Sequence, residues 1–105
     1  MSYEDTLATA RTRGGHTEDE WHSLKREFRF HCVRCLKRFR SFELTKDHVA
    51  PLSLGGTDTI ANIQPMCGAC NGRKGAKVID YRPAARAWLA ATETRRRADG
   101  RNNGL

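Results

Sequence analysis

Apolar residues recur along this chain in more than one rhythm. Trp21, Leu24 and Phe28 fall at i, i+3 and i+7, the spacing of one face of a helix. Thr17 followed three residues later by Glu20 forms a capping box that starts this helix cleanly, and the stripe has the make-up of a core-facing surface. Further on, the spacing shortens. A Cys-x-x-Cys knuckle at Cys32 and Cys35 leads into the alternating run LKRFRSF, with Leu36, Phe39 and Phe42 at the apolar positions and Lys37, Arg38 and Arg40 left for solvent or phosphate. Thr45 to Ala50 reads as a short strand stopped by Pro51 and a Gly55-Gly56 turn, and Ile60 to Gln64 as a second strand stopped by Pro65. Cys67 begins a short helix that places Cys70, Asn71 and Lys74 about one turn apart on one side. Pro83 suits the first position of a last helix running to Ala90, docked through Trp88 and Leu89.

Outside this middle the periodicity stops. Residues 1–16 end in Gly14-Gly15 and read as a mobile arm, and residues 91–105 are polar and basic and read as a frayed tail. What remains, 17–90, is one domain, at a size where an apolar core alone is only marginally stable. Two Cys-x-x-Cys pairs, Cys32/Cys35 and Cys67/Cys70, stand 31 residues apart and suit one tetrahedral zinc, which would contribute about 10–16 kcal/mol to the folding of so small a unit. Two disulfides of a secreted protein are the alternative. Residues 1–16 lack the apolar run of a signal peptide, so a cytoplasmic location is expected instead. A thioredoxin-like redox role fits poorly, because neither pair lies between a strong apolar strand and a long helix. With four thiolates available, His22 and His31 are read as bystanders to the metal.

Charge narrows the choice of partner. The formal net charge is +7, but residues 1–30 carry five Lys/Arg against six Asp/Glu, whereas 31–105 carry fourteen against six. The excess therefore falls on the cysteine-bearing part and the tail, and its natural partner is a polyanion. No apolar run of spanning length is present, so nucleic acid is favoured over membrane.

The stretch TKDHVAPLSLGGTDTIANIQPMCGACNGRKG then carries the chemistry. Phosphodiester hydrolysis needs a base for water, a cation for the developing charge, and groups that hold both in line. His48 is the one neutral-pH base in the stretch, and Asp47 before it can hold a hard divalent cation. Neighbours on a strand point to opposite faces, so the pair serves one site only where the backbone bends or where strand and helix sandwich the metal. Asn71 offers a carbonyl oxygen as second ligand, a donor set that leaves positions for water and phosphate and suits Mg²⁺ or Mn²⁺. Asn62 is placed to hydrogen-bond backbone and fix the loop that carries His48.

The sequence DHVAPLSLGG, the Asn of IANIQPMC and CGACNGRKG, preceded by CVRC, resembles the zinc-containing HNH endonucleases of phages, restriction systems and mobile introns. The resemblance covers about residues 20–77, and Asn62 and Asn71 follow His48 by 14 and 23 positions, as that motif has them. It implies a small α+β protein with a ββα-metal core over about 45–76, a structural zinc on the four cysteines and flanking helices. It also implies His48 as general base, Asp47 as metal ligand, Asn62 as the residue orienting the His48 loop, and Arg73 and Lys74 as phosphate contacts. Asn71 stands where the motif's last His often ligates the metal, which makes this an H-N-N variant and shifts preference toward Mg²⁺ or Mn²⁺ over Ni²⁺ or Zn²⁺.

The expectation is therefore an endonuclease that nicks DNA as a monomer or weak dimer, leaving 3′-hydroxyl and 5′-phosphate ends, in a bacterial or phage-infected cell. RNA stays open as substrate. Without a second DNA-reading domain, selectivity is weak, or is supplied by the arms or by a partner such as a phage packaging protein. The rival reading is a non-catalytic zinc-ribbon module that binds nucleic acid; it explains the cysteines and the charge but not the joint presence of Asp47, His48 and Asn71. A zinc-dependent adaptor for protein partners explains neither the site nor the charge.

Overall fold

Thr17 caps the first helix from both sides: its Oγ1 accepts from the Glu20 amide at 3.0 Å while Glu20 Oε1 accepts from the Thr17 amide at 2.9 Å. Helix α1, Glu18–Glu27, carries Glu18, Asp19 and Glu20 in its first turn and Lys25 and Arg26 in its last, the polarity that its dipole favours. It buries Trp21 and, at its C-cap, Phe28, each worth about 1.5–3 kcal/mol of transfer free energy. The computed structural model describes residues 14–103, with side chains as far as residue 98. The expected mobile arm falls outside the described residues up to 13, but Gly14 to His16 are packed against the body.

Arg29 and Phe30 adopt left-handed backbone, with φ of 51° and 61°, and turn the chain back under α1. The knuckle follows as a tight loop closed by Cys32 N–H to Lys37 O and Leu36 N–H to Cys32 O, with Leu36 at φ 62°. A 3₁₀ turn, Ser41–Glu43, feeds strand β1, Leu44–His48, which pairs antiparallel with β2, Ile63–Cys67, from Leu44 opposite Cys67 to His48 opposite Ile63. Helix α2, Gly68–Lys74, starts directly from Cys67 and lies on the sheet. Helix α3, Arg82–Asn103, closes the core through Ala85 and Leu89, beside Phe28, Cys32, Val33, Leu44 and Met66.

Three expectations change here. The strands are shifted: β1 begins at Leu44 and ends at His48, and β2 begins three residues later than expected and runs through Pro65. Pro65 is tolerated because both strands of a two-stranded sheet are edges; its carbonyl takes the Val33 amide at 3.0 Å. Ile60–Asn62 is a 3₁₀ turn. The basic tail is not frayed through 91–103 but continues α3, since its Ala, Glu and Arg residues favour helix, Arg97 pairs with Glu93 at i+4 and Arg29 reaches Glu93 at 3.3 Å. Trp88 is 40% exposed and meets the His31 ring edge-on at 5.7 Å, so the buried Ala85 rather than Trp88 shares the docking with Leu89.

Candidate active site and metal centre

The four cysteine sulfurs converge where the knuckle meets the start of α2. All Sγ atoms lie within 4.8 Å of one another, against about 3.8 Å for a zinc–thiolate tetrahedron with 2.3 Å bonds. All four are free thiols. The donor set and its closeness fit zinc. Burial pushes the Cys35 thiol up to about 12 and raises that of Cys67. Burial also pushes Cys70 up, but hydrogen bonds from Arg34 and from the other three cysteines outweigh it and bring Cys70 down to about 7. Arg34 Nη1 stands 3.4 Å from Cys70 Sγ, so the knuckle itself brings a cation to a site crowded with thiolate charge.

On β1, Thr45 and Asp47 share the face that meets α2. Asn71 Nδ2 donates to Thr45 Oγ1 at 2.8 Å, and that hydroxyl donates in turn to Met66 O at 2.7 Å. With its NH₂ fixed, Asn71 presents Oδ1, which takes no bond from the described residues. Asp47 is 4% exposed; Gln64 Nε2 donates to its Oδ2 at 2.8 Å and Lys74 Nζ lies 3.2 Å from the same oxygen. Oδ1 of Asp47 has no described side-chain donor. Asp47 Oδ1 and Asn71 Oδ1, without a side-chain donor among the described residues, are oxygen ligands of the kind that a hard divalent cation such as Mg²⁺ or Mn²⁺ takes.

The sequence puts Lys74 among the phosphate contacts, and the structure corrects this. Its side chain is fully buried, with Nζ also donating to His48 O at 3.0 Å, because α2 is short and its last turn packs its inner face onto the end of β1. Arg73, the next residue back, is exposed.

His48 ends β1 and its ring turns away from α2 toward the loop, where Nε2 lies 2.9 Å from Asp58 Oδ1. Asn62 closes that loop: Oδ1 accepts from the Ala50 amide at 3.0 Å, and Nδ2 donates to Ala50 O at 2.9 Å and Thr57 O at 2.8 Å. Gly55 supplies left-handed backbone at φ 90°, and at Gly56 a Cβ would run into the Ala50 carbonyl, so the two glycines serve different needs of one tight turn. Asp58 and Gln64 were not singled out from the sequence. Gln64 is fully buried, its Nε2 donating to Asp47 Oδ2 and Ile79 O and its Oε1 accepting from the Tyr81 amide. A glutamine inside a short apolar run gives no sign of such a role, whereas a lone Asp after Gly-Gly-Thr has the look of a turn residue.

Arg34, Lys37 and Arg73 line one open groove together with Phe39, Glu43 and the cysteine loop, and Arg38 and Arg40 line a second with Phe30 and Phe39. Phe42 lies between them in sequence and is 79% exposed. Among the described residues no helix is long and apolar enough to cross a membrane.

Two antiparallel strands, a helix laid on them and a four-cysteine centre at the joint define the ββα-metal class of small α+β folds. Residues 32–82, just under half of the chain, match the family model described as HNH endonuclease, and the four cysteines are placed as a zinc-containing protein of that family would need them. The match runs from the first cysteine to the start of α3 and encloses both strands and α2. No curated protein matches the chain. At the level of the family, that match supports nuclease activity and a nucleic-acid partner.

Proposed function

We propose that the protein hydrolyses DNA phosphodiester bonds with His48 as the base that deprotonates the attacking water and with a divalent cation held by Asp47 and Asn71. The observation that carries this reading is the arrangement around the end of β1: the His48 imidazole is held by Asp58, while Gln64 holds Asp47 Oδ2 and Thr45 takes the Asn71 NH₂, leaving the Oδ1 of each without a side-chain donor among the described residues. When bound, Mg²⁺ or Mn²⁺ would supply charge stabilisation at the phosphate and the leaving 3′ oxygen. Asn62 keeps the His48 loop closed, Gln64 and Lys74 fix the Asp47 carboxylate, and Arg73, Lys37, Arg38 and Arg40 hold the phosphate backbone in register. A single site of this kind cuts one strand, so a monomer nicks. The catalytic unit spans 17–90, with the basic remainder of α3 beside it.

One observation favours a non-catalytic, nucleic-acid-binding reading. Lys74 already neutralises Asp47 from inside, and a carboxylate so paired attracts a second cation less strongly. The two readings separate on supercoiled plasmid. After removal of loosely bound divalent ions, adding Mg²⁺ or Mn²⁺ should restore conversion to open circle, with Ni²⁺ and Zn²⁺ less effective; plasmid binding without cleavage under every ion would leave only the binding module.

A further inference from the structure

We propose that Asp58 is a positioning residue for His48, and that His16, from the segment ahead of α1 and outside the family-matched stretch, holds Asp58 in place. The inference rests on His48 being the base.

Asp58 Oδ1 lies 2.9 Å from His48 Nε2, and both side chains are largely withdrawn from solvent. An ionised carboxylate only accepts hydrogen bonds, so Nε2 carries the proton and Nδ1 is left with its lone pair, the state that a base needs. An Asp in a tight loop most often accepts a backbone N–H and stabilises its own turn. Among the described residues the Asp58 carboxylate takes no such bond; its one hydrogen bond goes to His48, so the side chain is committed to the imidazole rather than to the loop.

The loop itself is gripped from the other side. His16, with a side chain 7% exposed, donates from Nδ1 to the Asp58 backbone carbonyl at 2.7 Å, and the same nitrogen lies 3.7 Å from Asp58 Oδ1. Gly14 stands at φ 114° against Thr59, where a Cβ would collide with the Thr59 methyl, so the approach of this segment depends on glycine. Thr57 and Thr59 share a hydroxyl contact at 2.8 Å, and Asn62 holds Thr57 O. Asp58 is thus clamped between Asn62 on one flank and the His16 segment on the other. Removing the clamp frees the Asp58 carboxylate to swing away, and the His48 ring then samples both tautomers.

The test uses the full-length, zinc-loaded protein without added catalytic cation, at a pH above the ordinary imidazole range. Long-range ¹H–¹⁵N spectra of His48 should show the Nε2–H tautomer in wild type and a mixture in Asp58→Ala. His16→Ala should give a smaller shift in the same direction, restored in His16→Gln, whose amide can again donate to the carbonyl. With Mg²⁺ or Mn²⁺ and plasmid, Asp58→Ala should lose roughly 10- to 100-fold in kcat with KM unchanged, the usual size of effect for a group that orients a working histidine. A pure Nε2–H tautomer and wild-type kcat in Asp58→Ala, with His48→Ala inactive, would overturn the inference while leaving the proposed base intact. Activity retained in His48→Ala would overturn the base itself, and the tautomer spectra still decide whether Asp58 sets the ring. Should Asp58→Ala lose its zinc and fold, the His16→Ala and His16→Gln pair decides.

Discussion

Lys74 and Asp47 are the residues where burial and charge conflict most sharply. Both are buried, and the pair persists because Gln64 also donates to Asp47 Oδ2 and the His48 carbonyl accepts from Lys74. Breaking a buried pair by removing one partner leaves the other charge uncompensated, which typically costs about 3–5 kcal/mol. Lys74→Met should therefore lower unfolding free energy by about that amount in a denaturant titration, while the salt dependence of DNA binding stays as in wild type, since the ammonium never reaches phosphate. Arg73→Ala should do the opposite, leaving stability unchanged and reducing the slope of log affinity against log salt by about one charge. At Asn62, removing one amide strands Ala50 N–H, Ala50 O and Thr57 O together. Asn62→Ala should cost about 1–3 kcal/mol and slow turnover more than it weakens binding.

Elements stand on local signals of unequal strength. Asp80 shows how α3 is started: its Oδ1 accepts from the Arg82 amide at 3.0 Å, and the Arg82 side chain grips both its oxygens. The Arg82 guanidinium beside it holds the Asp80 carboxyl below the usual carboxylate range. A depressed carboxyl stabilises the fold above its unfolded value, near 4, and that contribution is lost as pH falls through the folded value. The stability difference between wild type and Asp80→Asn should accordingly be present at neutral pH and vanish in acid, followed by thermal unfolding across pH. The capping box of α1 and the two Cys-x-x-Cys pairs were legible because each is a short, local pattern with one geometric solution. The strand ends were not: Pro65 reads as a stop in isolation and is admitted only because this sheet has no third strand. The length of α3 was hidden for the same kind of reason. Ala91 to Arg97 are polar enough to look like a tail, and only the pairing of Glu93 with Arg29 and Arg97 gives that face a reason to stay helical. His48, Asp47, Asn62 and Asn71 were visible as a motif, whereas Asp58, Gln64 and His16 join the site through contacts 10, 17 and 42 residues apart in sequence, which no local pattern displays.

At the scale of the whole molecule, the four-cysteine centre and the proposed active site share one scaffold. Cys67 ends β2 and caps α2, the helix that carries Cys70 and Asn71 side by side, so the cysteine cluster and the proposed cation ligand share one element. Stripping zinc with a chelator should unfold the domain cooperatively and abolish any cleavage, monitored by circular dichroism as zinc is released. Cys35 and Cys67 are held protonated by burial when no metal is present, so zinc must displace their protons. Zinc affinity should fall as pH is lowered, and zinc binding should release protons measurable by calorimetry in buffers of different ionisation enthalpy. The grooves beside this centre are lined by Arg34, Lys37 and Arg73 and by Arg38 and Arg40, the side chains proposed to meet phosphate.

If His48 is the base of a cation-dependent nuclease, wild type and His48→Ala, matched for zinc content and DNA affinity, must differ when incubated with supercoiled plasmid in Mg²⁺ or Mn²⁺. Wild type should give open-circle product and the variant should lose at least about 100-fold, the usual contribution of a positioned base. Equal cleavage by the two proteins would contradict that role.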